Sequence, residues 1–174
     1  MSSTVYSKEL INNNDLHQFA VIALNVLSST TYGRKYEASL VTIALCQGGA
    51  NHYAVTNGYA RYYFDSKKKG LKDIDIWFFF SKKGFHPMWR QTRDFGPSKF
   101  GQNPEEPDYL GRRMDFFGRS IPFQTGDTAK SAVQRWIKNG IPKSSPWYLL
   151  QKAVVAIFPE DITGEVLWVN PNLR

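Results

Sequence analysis

Apolar residues recur at helical spacing near the start of the chain. They follow the polar cluster 12–15, whose side-chain oxygens can cap the first turn of a helix. The apolar positions that share one face are Leu16, Phe19, Ala20, Ala23, Val26 and Leu27. This spacing predicts an amphipathic helix that packs its apolar face into the core.

Three later segments are rich in β-branched and aromatic residues, which is typical of buried strands. They are Ser39–Cys46, Asp73–Phe80 and Arg112–Ile121. The first runs directly into Gly48 and Gly49, which predicts a turn at its end. We therefore expect a sheet built around at least these segments.

The last third of the chain returns to helical spacing. Asp127 is predicted to cap a helix that ends at Gly140, and a second helix is predicted from Ser144 to about Ile157. A short edge strand is predicted over Glu165–Val169.

Two stretches, Asn51–Lys72 and Lys82–Leu110, match no regular element and carry several glycines or prolines. Irregular segments of this length in a compact domain are usually functional or disordered. The predicted order is helix, strand, strand, strand, helix, helix, strand. It indicates one α/β or α+β domain over residues 1–174, with a core at about 39–120 and C-terminal helices at about 127–158 that pack on a small mixed sheet.

Composition narrows the class of protein. The 174 residues are 42% apolar and 21% charged, which excludes a disordered chain. No apolar run is long enough for a transmembrane helix, and the first residues lack the apolar core of a signal peptide. A single cysteine, Cys46, excludes an internal disulfide and a zinc site built from cysteines. We expect a cytoplasmic protein without a membrane partner.

The charge balance favours negatively charged partners. Lysine and arginine number 22 against 15 acidic residues, which gives a net charge of +7. Such an excess is typical of proteins that bind nucleic acid or nucleotide phosphates. A basic surface that is simply solvated has the same composition, so charge alone does not decide between the two.

Three carboxylates stand out in the predicted strands. Asp73 and Asp75 alternate with isoleucines, so both side chains point to the same side of the strand. Two such carboxylates repel each other unless a cation lies between them, and Mg²⁺ or Mn²⁺ prefers oxygen ligands of this kind. Asp115 lies within another apolar strand and completes the cluster if the two strands are neighbours. The alternative is a strand end where the first two aspartates face water.

The order of these motifs resembles the polymerase-β-like nucleotidyltransferase superfamily, and more closely small bacterial proteins of that type. The resemblance covers about residues 39–120. The segments that carry it are C-Q-G-G (46–49), K-D-I-D-I-W (72–77), D-F-G-P-S-K-F-G (94–101) and G-R-R-M-D-F-F (111–117). The superfamily often has serine where this chain has Gly49. The segment between this turn and the D-x-D motif is also longer here than is usual.

The resemblance implies metal-dependent transfer of a nucleoside monophosphate from a nucleoside triphosphate, with release of pyrophosphate. Asp73 and Asp75 would hold the metal ions, and Asp115 would help to activate the attacking hydroxyl. Gly48 and Gly49 would lie against the phosphates, where a side chain would block the approach of the backbone. The acceptor could be an RNA, a protein or a small molecule.

Basic residues around these motifs are candidates for binding the triphosphate or an RNA backbone. They are Lys72, Arg90, Arg93, Lys99 and Arg113. By alternation Arg113 shares the face of Asp115, so it could contact substrate or form a structural salt bridge with that carboxylate.

Two other functions fit the same residues. One is a non-catalytic module on the same fold that binds nucleic acid or a partner through its basic surface. The other is a metal-dependent phosphohydrolase or nuclease, because such enzymes use the same carboxylate chemistry. The two enzymatic hypotheses differ in whether a nucleoside monophosphate is transferred to an acceptor or bonds are only cut.

Overall fold

A mixed sheet forms the centre of the protein. The computed structural model describes residues 11–64, 71, 73–81, 89–97, 108 and 111–174, with the backbone alone for 89–97, 111 and 112. Within this part the sheet has six strands in the order β3-β4-β2-β1-β5-β6. The strands are β1 (Leu40–Cys46), β2 (Ile74–Phe80), β3 (Trp89–Pro97), β4 (Gly111–Ser120), β5 (Ala153–Phe158) and β6 (Val166–Val169). This architecture confirms the predicted fold class.

Helices cover both faces of the sheet. They are α1 (Asn13–Ser29), α2 (Thr31–Tyr36), α3 (Gln47–Thr56), α4 (Ala129–Lys138) and α5 (Ser145–Leu150). Helices α1 and α3 pack into the core on one face, and α4 and α5 pack into a second core on the other. Because both faces are covered, the strand β2 is apolar in both directions: Phe78 points into the first core and Trp77 into the second.

The first helix matches its prediction closely. Its N-cap is Asn12, whose side-chain oxygen accepts a hydrogen bond from the backbone N–H of Asp15, while Asp15 accepts one from the N–H of Asn12. All the apolar residues predicted to share one face are buried. The period of hydrophobicity was therefore sufficient to place this element and its core face.

The predicted helix from Ser144 to Ile157 is wrong in its second half. Helix α5 ends at Leu150, and the run A-V-V-A-I-F that follows is the strand β5 between β1 and β6. Every residue of β5 except Phe158 is buried, which explains why its sequence shows no polar alternation. A run of six apolar residues with adjacent valines has the length and composition of a buried strand.

Both stretches predicted to be irregular contain regular elements. Helix α3 occupies the start of Asn51–Lys72, and its buried face includes Ala50, Tyr53 and Ala54 at helical spacing. The strand β3 lies within Lys82–Leu110 and pairs antiparallel with β4 at the edge of the sheet. Tertiary packing and strand pairing stabilise these elements despite the nearby glycines and prolines.

The cap of α4 also differs from the prediction. Thr128, rather than Asp127, is the N-cap, and its hydroxyl accepts a hydrogen bond from the N–H of Ser131. Asp127 instead accepts from the N–H of Gln124 and forms an ion pair of 2.6 Å with Arg135. Among the described helices, none is both long enough and apolar enough to cross a membrane.

Candidate metal centre

Two parallel strands bring the three predicted carboxylates into one place. The strands β2 and β4 are neighbours, and their register sets Asp75 directly opposite Asp115. Asp73 comes just before β2 and, two residues from Asp75, points to the same side of the sheet. The structure thus joins two segments that lie far apart in sequence, as the hypothesis of neighbouring strands required.

The three carboxylates form a compact cluster. One oxygen from each of Asp73, Asp75 and Asp115 lies within 4.8 Å of the others. The side chain of Asp115 is only 4% exposed, and that of Asp73 is 26% exposed, so the cluster is open on the side of Asp73. Hard anionic oxygens at this spacing are the donor set that suits Mg²⁺ or Mn²⁺. The residues therefore fit a divalent cation.

Arg113 lies against the same cluster. Its guanidinium is 3.4 Å from an oxygen of Asp115 and 3.7 Å from an oxygen of Asp73. These ion pairs show that Arg113 shares the face of the carboxylates, as strand alternation predicts. They offset part of the negative charge, while contact of Arg113 with a substrate stays a prediction.

The environment of Asp75 disfavours its charged form. Burial raises the pKa of Asp75 well above its usual range, and repulsion from Asp73 and Asp115 raises it further. The positive charges of Lys152 and Arg113 act in the opposite direction and only partly compensate. A divalent cation would stabilise the ionised carboxylate, so the cluster has an electrostatic reason to bind one.

The neighbouring strand on the other side contributes Cys46. It pairs with Asp75 in the register of β1 and β2 and is completely buried. Burial, and secondarily the charge of Asp75, raises the pKa of the Cys46 thiol well above its usual range. A protonated, buried thiol is a core residue and a poor metal ligand.

Helix α3 begins immediately after Cys46, and its two glycines have different surroundings. A Cβ atom added to Gly49 would lie 3.0 Å from Cδ1 of Leu45, so this glycine permits close packing in the core. A Cβ atom added to Gly48 would meet nothing within 4 Å. Gly48 therefore faces open space in the first turn of α3, and a role of either glycine in phosphate binding stays a prediction.

Lys152 is a residue of this site that the sequence did not indicate. It is half-buried just before β5 and lowers the pKa of Asp75. Sequence patterns had placed it within a helix, where it would have no defined relation to the carboxylates. The sequence would have placed Lys152 beside β1 only if the run A-V-V-A-I-F that follows it had been recognised as a strand.

The remaining predicted binding residues lie, entirely or with their side chains, outside the described part of the chain. Lys72 and Lys99 lie outside the described residues. Arg90 and Arg93 belong to β3, whose backbone pairs with β4, but their side chains also lie outside what is described. Their contact with a nucleotide stays a prediction.

Replacing Asp75 by asparagine is expected to stabilise the metal-free protein at pH 7. The ordinary carboxyl value is 3.8 and the folded value is higher, so ionisation of Asp75 opposes folding once the pH exceeds that ordinary value. We expect Asp75→Asn to raise the Tm at pH 7, because the amide has the same size as the carboxylate and carries no charge to bury. The gain should disappear near pH 4, where the unfolded chain is also becoming protonated.

Asp127→Asn is the matched control for that melting experiment. Hydrogen bonds from Arg135 and from the N–H of Gln124 lower the pKa of Asp127, so its ionised form stabilises the fold. This variant should lower the Tm at pH 7, and its effect should shrink as the pH falls below the ordinary carboxyl value. An equal decrease of the Tm in both variants would contradict the electrostatic account of Asp75.

Comparison with known proteins identifies no relative for this site. No protein-family model, curated protein or solved structure matches the chain. The arrangement of the carboxylates and of the cations beside them therefore carries the functional interpretation.

Proposed function

We propose that this protein is a metal-dependent nucleotidyltransferase. The observation that carries the proposal is the cluster of Asp73, Asp75 and Asp115, whose oxygens lie within 4.8 Å of one another on two adjacent parallel strands. Two cationic side chains, Arg113 and Lys152, lie near the same carboxylates. Carboxylates that fit a divalent cation, next to cations that can bind phosphate oxygens, are what transfer from a nucleoside triphosphate requires.

The three aspartates would hold Mg²⁺ or Mn²⁺. When bound, the cation supplies neutralisation of the phosphate charge and alignment of the attacking and leaving oxygens. Asp115 is buried, whereas Asp73 and Asp75 are partly exposed, which favours Asp115 for orienting the hydroxyl of the acceptor and taking up its proton. Arg113 would donate hydrogen bonds to the non-bridging phosphate oxygens in place of its present carboxylate partners.

The proposed reaction is a substitution at the α-phosphorus of the nucleoside triphosphate. A bond forms between the acceptor oxygen and that phosphorus, and the bond from the phosphorus to the bridging oxygen of the β-phosphate breaks. The electron pair leaves with pyrophosphate, and the hydroxyl proton passes to the carboxylate of Asp115 or to water. The net charge of +7 is compatible with an RNA acceptor, and a protein or small-molecule hydroxyl would serve the same chemistry.

A product assay tests this proposal. The protein is incubated with Mg²⁺ or Mn²⁺ and each nucleoside triphosphate labelled at the α-phosphate, in the presence of RNA, of small hydroxyl compounds or of the protein alone. We expect labelled monophosphate on an acceptor together with an equal amount of pyrophosphate. Asp75→Asn should lose both products, and Asp127→Asn should retain them because its carboxylate pairs with Arg135 instead.

The same assay separates the rival functions. Labelled nucleoside monophosphate that is released without any labelled acceptor would identify a phosphohydrolase, and shortening of the unlabelled RNA would identify a nuclease. Either result would contradict transfer. An absence of turnover, with nucleic-acid binding that is unchanged by Asp75→Asn, would favour the non-catalytic binding module.

A further inference from the structure

An exposed aromatic ring lies next to the lysine of the candidate metal centre. The ammonium of Lys152 is 4.9 Å from the centre of the Phe64 ring, which is the distance of a cation–π contact. Phe64 is nevertheless 45% exposed, so the ring is not a core residue. A large apolar surface is thus held open to solvent beside a positive charge.

The position of Phe64 is fixed by a buried side chain. Asn51 of α3 accepts a hydrogen bond of 2.8 Å from the backbone N–H of Phe64 and donates one of 3.1 Å to the carbonyl of Tyr62. The N–H of Tyr62 also donates to the carbonyl of Leu173. The segment that carries the ring is therefore fixed by hydrogen bonds from the Asn51 side chain and from the backbone. Such preorganisation lowers the entropic cost of binding a ligand.

The sheet places Lys152 on the side of the carboxylates. Val154 of β5 pairs with Cys46 of β1, and Cys46 pairs with Asp75 of β2. Lys152 precedes Val154 by two residues, so alternation points it to the same face. Two strand spacings separate β5 from β2, about 10 Å, which a lysine side chain spans in large part. The effect of Lys152 on the pKa of Asp75 agrees with this placement.

We propose that Phe64 and Lys152 form the nucleoside subsite of this protein, where the base stacks on the Phe64 ring and the Lys152 ammonium contacts the phosphates. The inference rests on the proposed function, because it places the base of the same nucleotide whose phosphates would bind, through a cation, to the carboxylates. Stacking needs only an aromatic face, so the subsite should accept more than one base. Lys152 contacts the ring and lowers the pKa of Asp75, and the reacting α-phosphate of a nucleoside triphosphate is separated from the base only by the ribose.

Paired ligands test the two residues separately. Binding of a non-hydrolysable nucleoside triphosphate and of inorganic tripolyphosphate, each with Mg²⁺, is measured by calorimetry. Phe64→Ala should weaken the nucleotide about tenfold and leave tripolyphosphate unchanged, because only the nucleotide has a base to stack. Phe64→Trp should restore nucleotide binding. Lys152→Met should weaken both ligands, because both carry phosphates.

Two matched variants control for nonspecific effects. Phe123→Ala removes a phenylalanine of nearly the same exposure, 44%, and Lys138→Met removes an exposed lysine from the last turn of α4. Neither should change the affinity of either ligand. Melting curves of all variants establish that each variant is folded under the conditions of the titrations.

The outcomes distinguish this inference from the proposed function. Nucleotide affinity that is equal in the parent protein and in Phe64→Ala, or a Phe64→Ala loss that is the same for both ligands, would overturn stacking. Tripolyphosphate affinity that is unchanged by Lys152→Met would overturn the phosphate contact. If the parent protein binds neither ligand with Mg²⁺, the proposed function itself fails and the subsite fails with it.

Discussion

Asp115→Asn is expected to lower the rate of nucleotidyl transfer by about 10³-fold, the usual contribution of a carboxylate that takes a proton in catalysis. The variant keeps the size of the side chain but loses the negative charge that accepts the hydroxyl proton. Asp73, just before β2, and Asp75, within it, remain close together, so they can still hold a cation with the triphosphate. We therefore expect nucleotide binding in the presence of Mg²⁺ to fall by less than about tenfold, much less than turnover.

Asp75→Asn should behave differently in the same assays. Asp75 lies between the other two carboxylates, because it follows Asp73 by two residues and pairs with Asp115 across the strands. Its loss should abolish Mg²⁺-dependent nucleotide binding as well as turnover. Turnover by Asp115→Asn within tenfold of the parent protein would contradict the role of that carboxylate. Asp127→Asn is the control for the loss of a carboxylate that is paired with Arg135 instead of belonging to the cluster.

Phe78→Ala is expected to cost about 3–5 kcal/mol of the free energy of unfolding, the usual range for an enclosed phenylalanine. Phe78 is fully buried in the strand that carries Asp75. Its ring packs at 6.4 Å from that of Phe80 and at 6.1 Å from that of Phe116 in β4. Truncation leaves a cavity in the first core, under the two strands that hold the carboxylate cluster on their other face.

Urea and thermal unfolding measure this effect. At about 2–4 °C per kcal/mol, we expect the Tm to fall by roughly 6–20 °C. Val21→Ala is the control, since Val21 is 60% exposed on α1 and should change the stability by less than about 0.5 kcal/mol. A loss below about 1 kcal/mol in Phe78→Ala would contradict the close packing of its ring in the first core.

The sequence was most informative where local pattern and tertiary packing agree. Helix α1 has one apolar face and a capping cluster, and both were visible as periodicity and residue type. The strands β1, β2 and β4 are apolar runs rich in β-branched and aromatic residues, and each was placed to within a residue or two.

Elements whose identity depends on distant partners were missed. A buried apolar run has the same composition in a helix and in a central strand, and β5 becomes a strand because β1 and β6 pair with it on both sides. The strand β3 depends on pairing with β4, and α3 contains two glycines that weaken its helical signal. These contacts join residues that lie far apart in the sequence, so the local period of hydrophobicity does not predict them.

In the candidate site, too, the sequence predicted the local arrangement of residues and not the contacts that depend on the fold. Alternation put Asp73 and Asp75 on one side of a strand, and an acidic residue within apolar neighbours drew attention to Asp115. Their meeting depended on the parallel register of β2 and β4, which was a hypothesis from the sequence and an observation in the structure. Lys152 and Phe64 carried no local signal, because their relation to the carboxylates arises from β5 and from the hydrogen bonds of Asn51.

Calorimetric titration with Mg²⁺ and a non-hydrolysable nucleoside triphosphate tests the central claim most directly. The parent protein and Asp75→Asn are compared, each with the nucleotide alone and with the nucleotide and metal together. The carboxylate site predicts metal-dependent binding in the parent protein that the substitution abolishes. Titrations that are flat in both proteins, or equal in both, at millimolar ligand would contradict a metal-dependent nucleotide site at Asp73, Asp75 and Asp115.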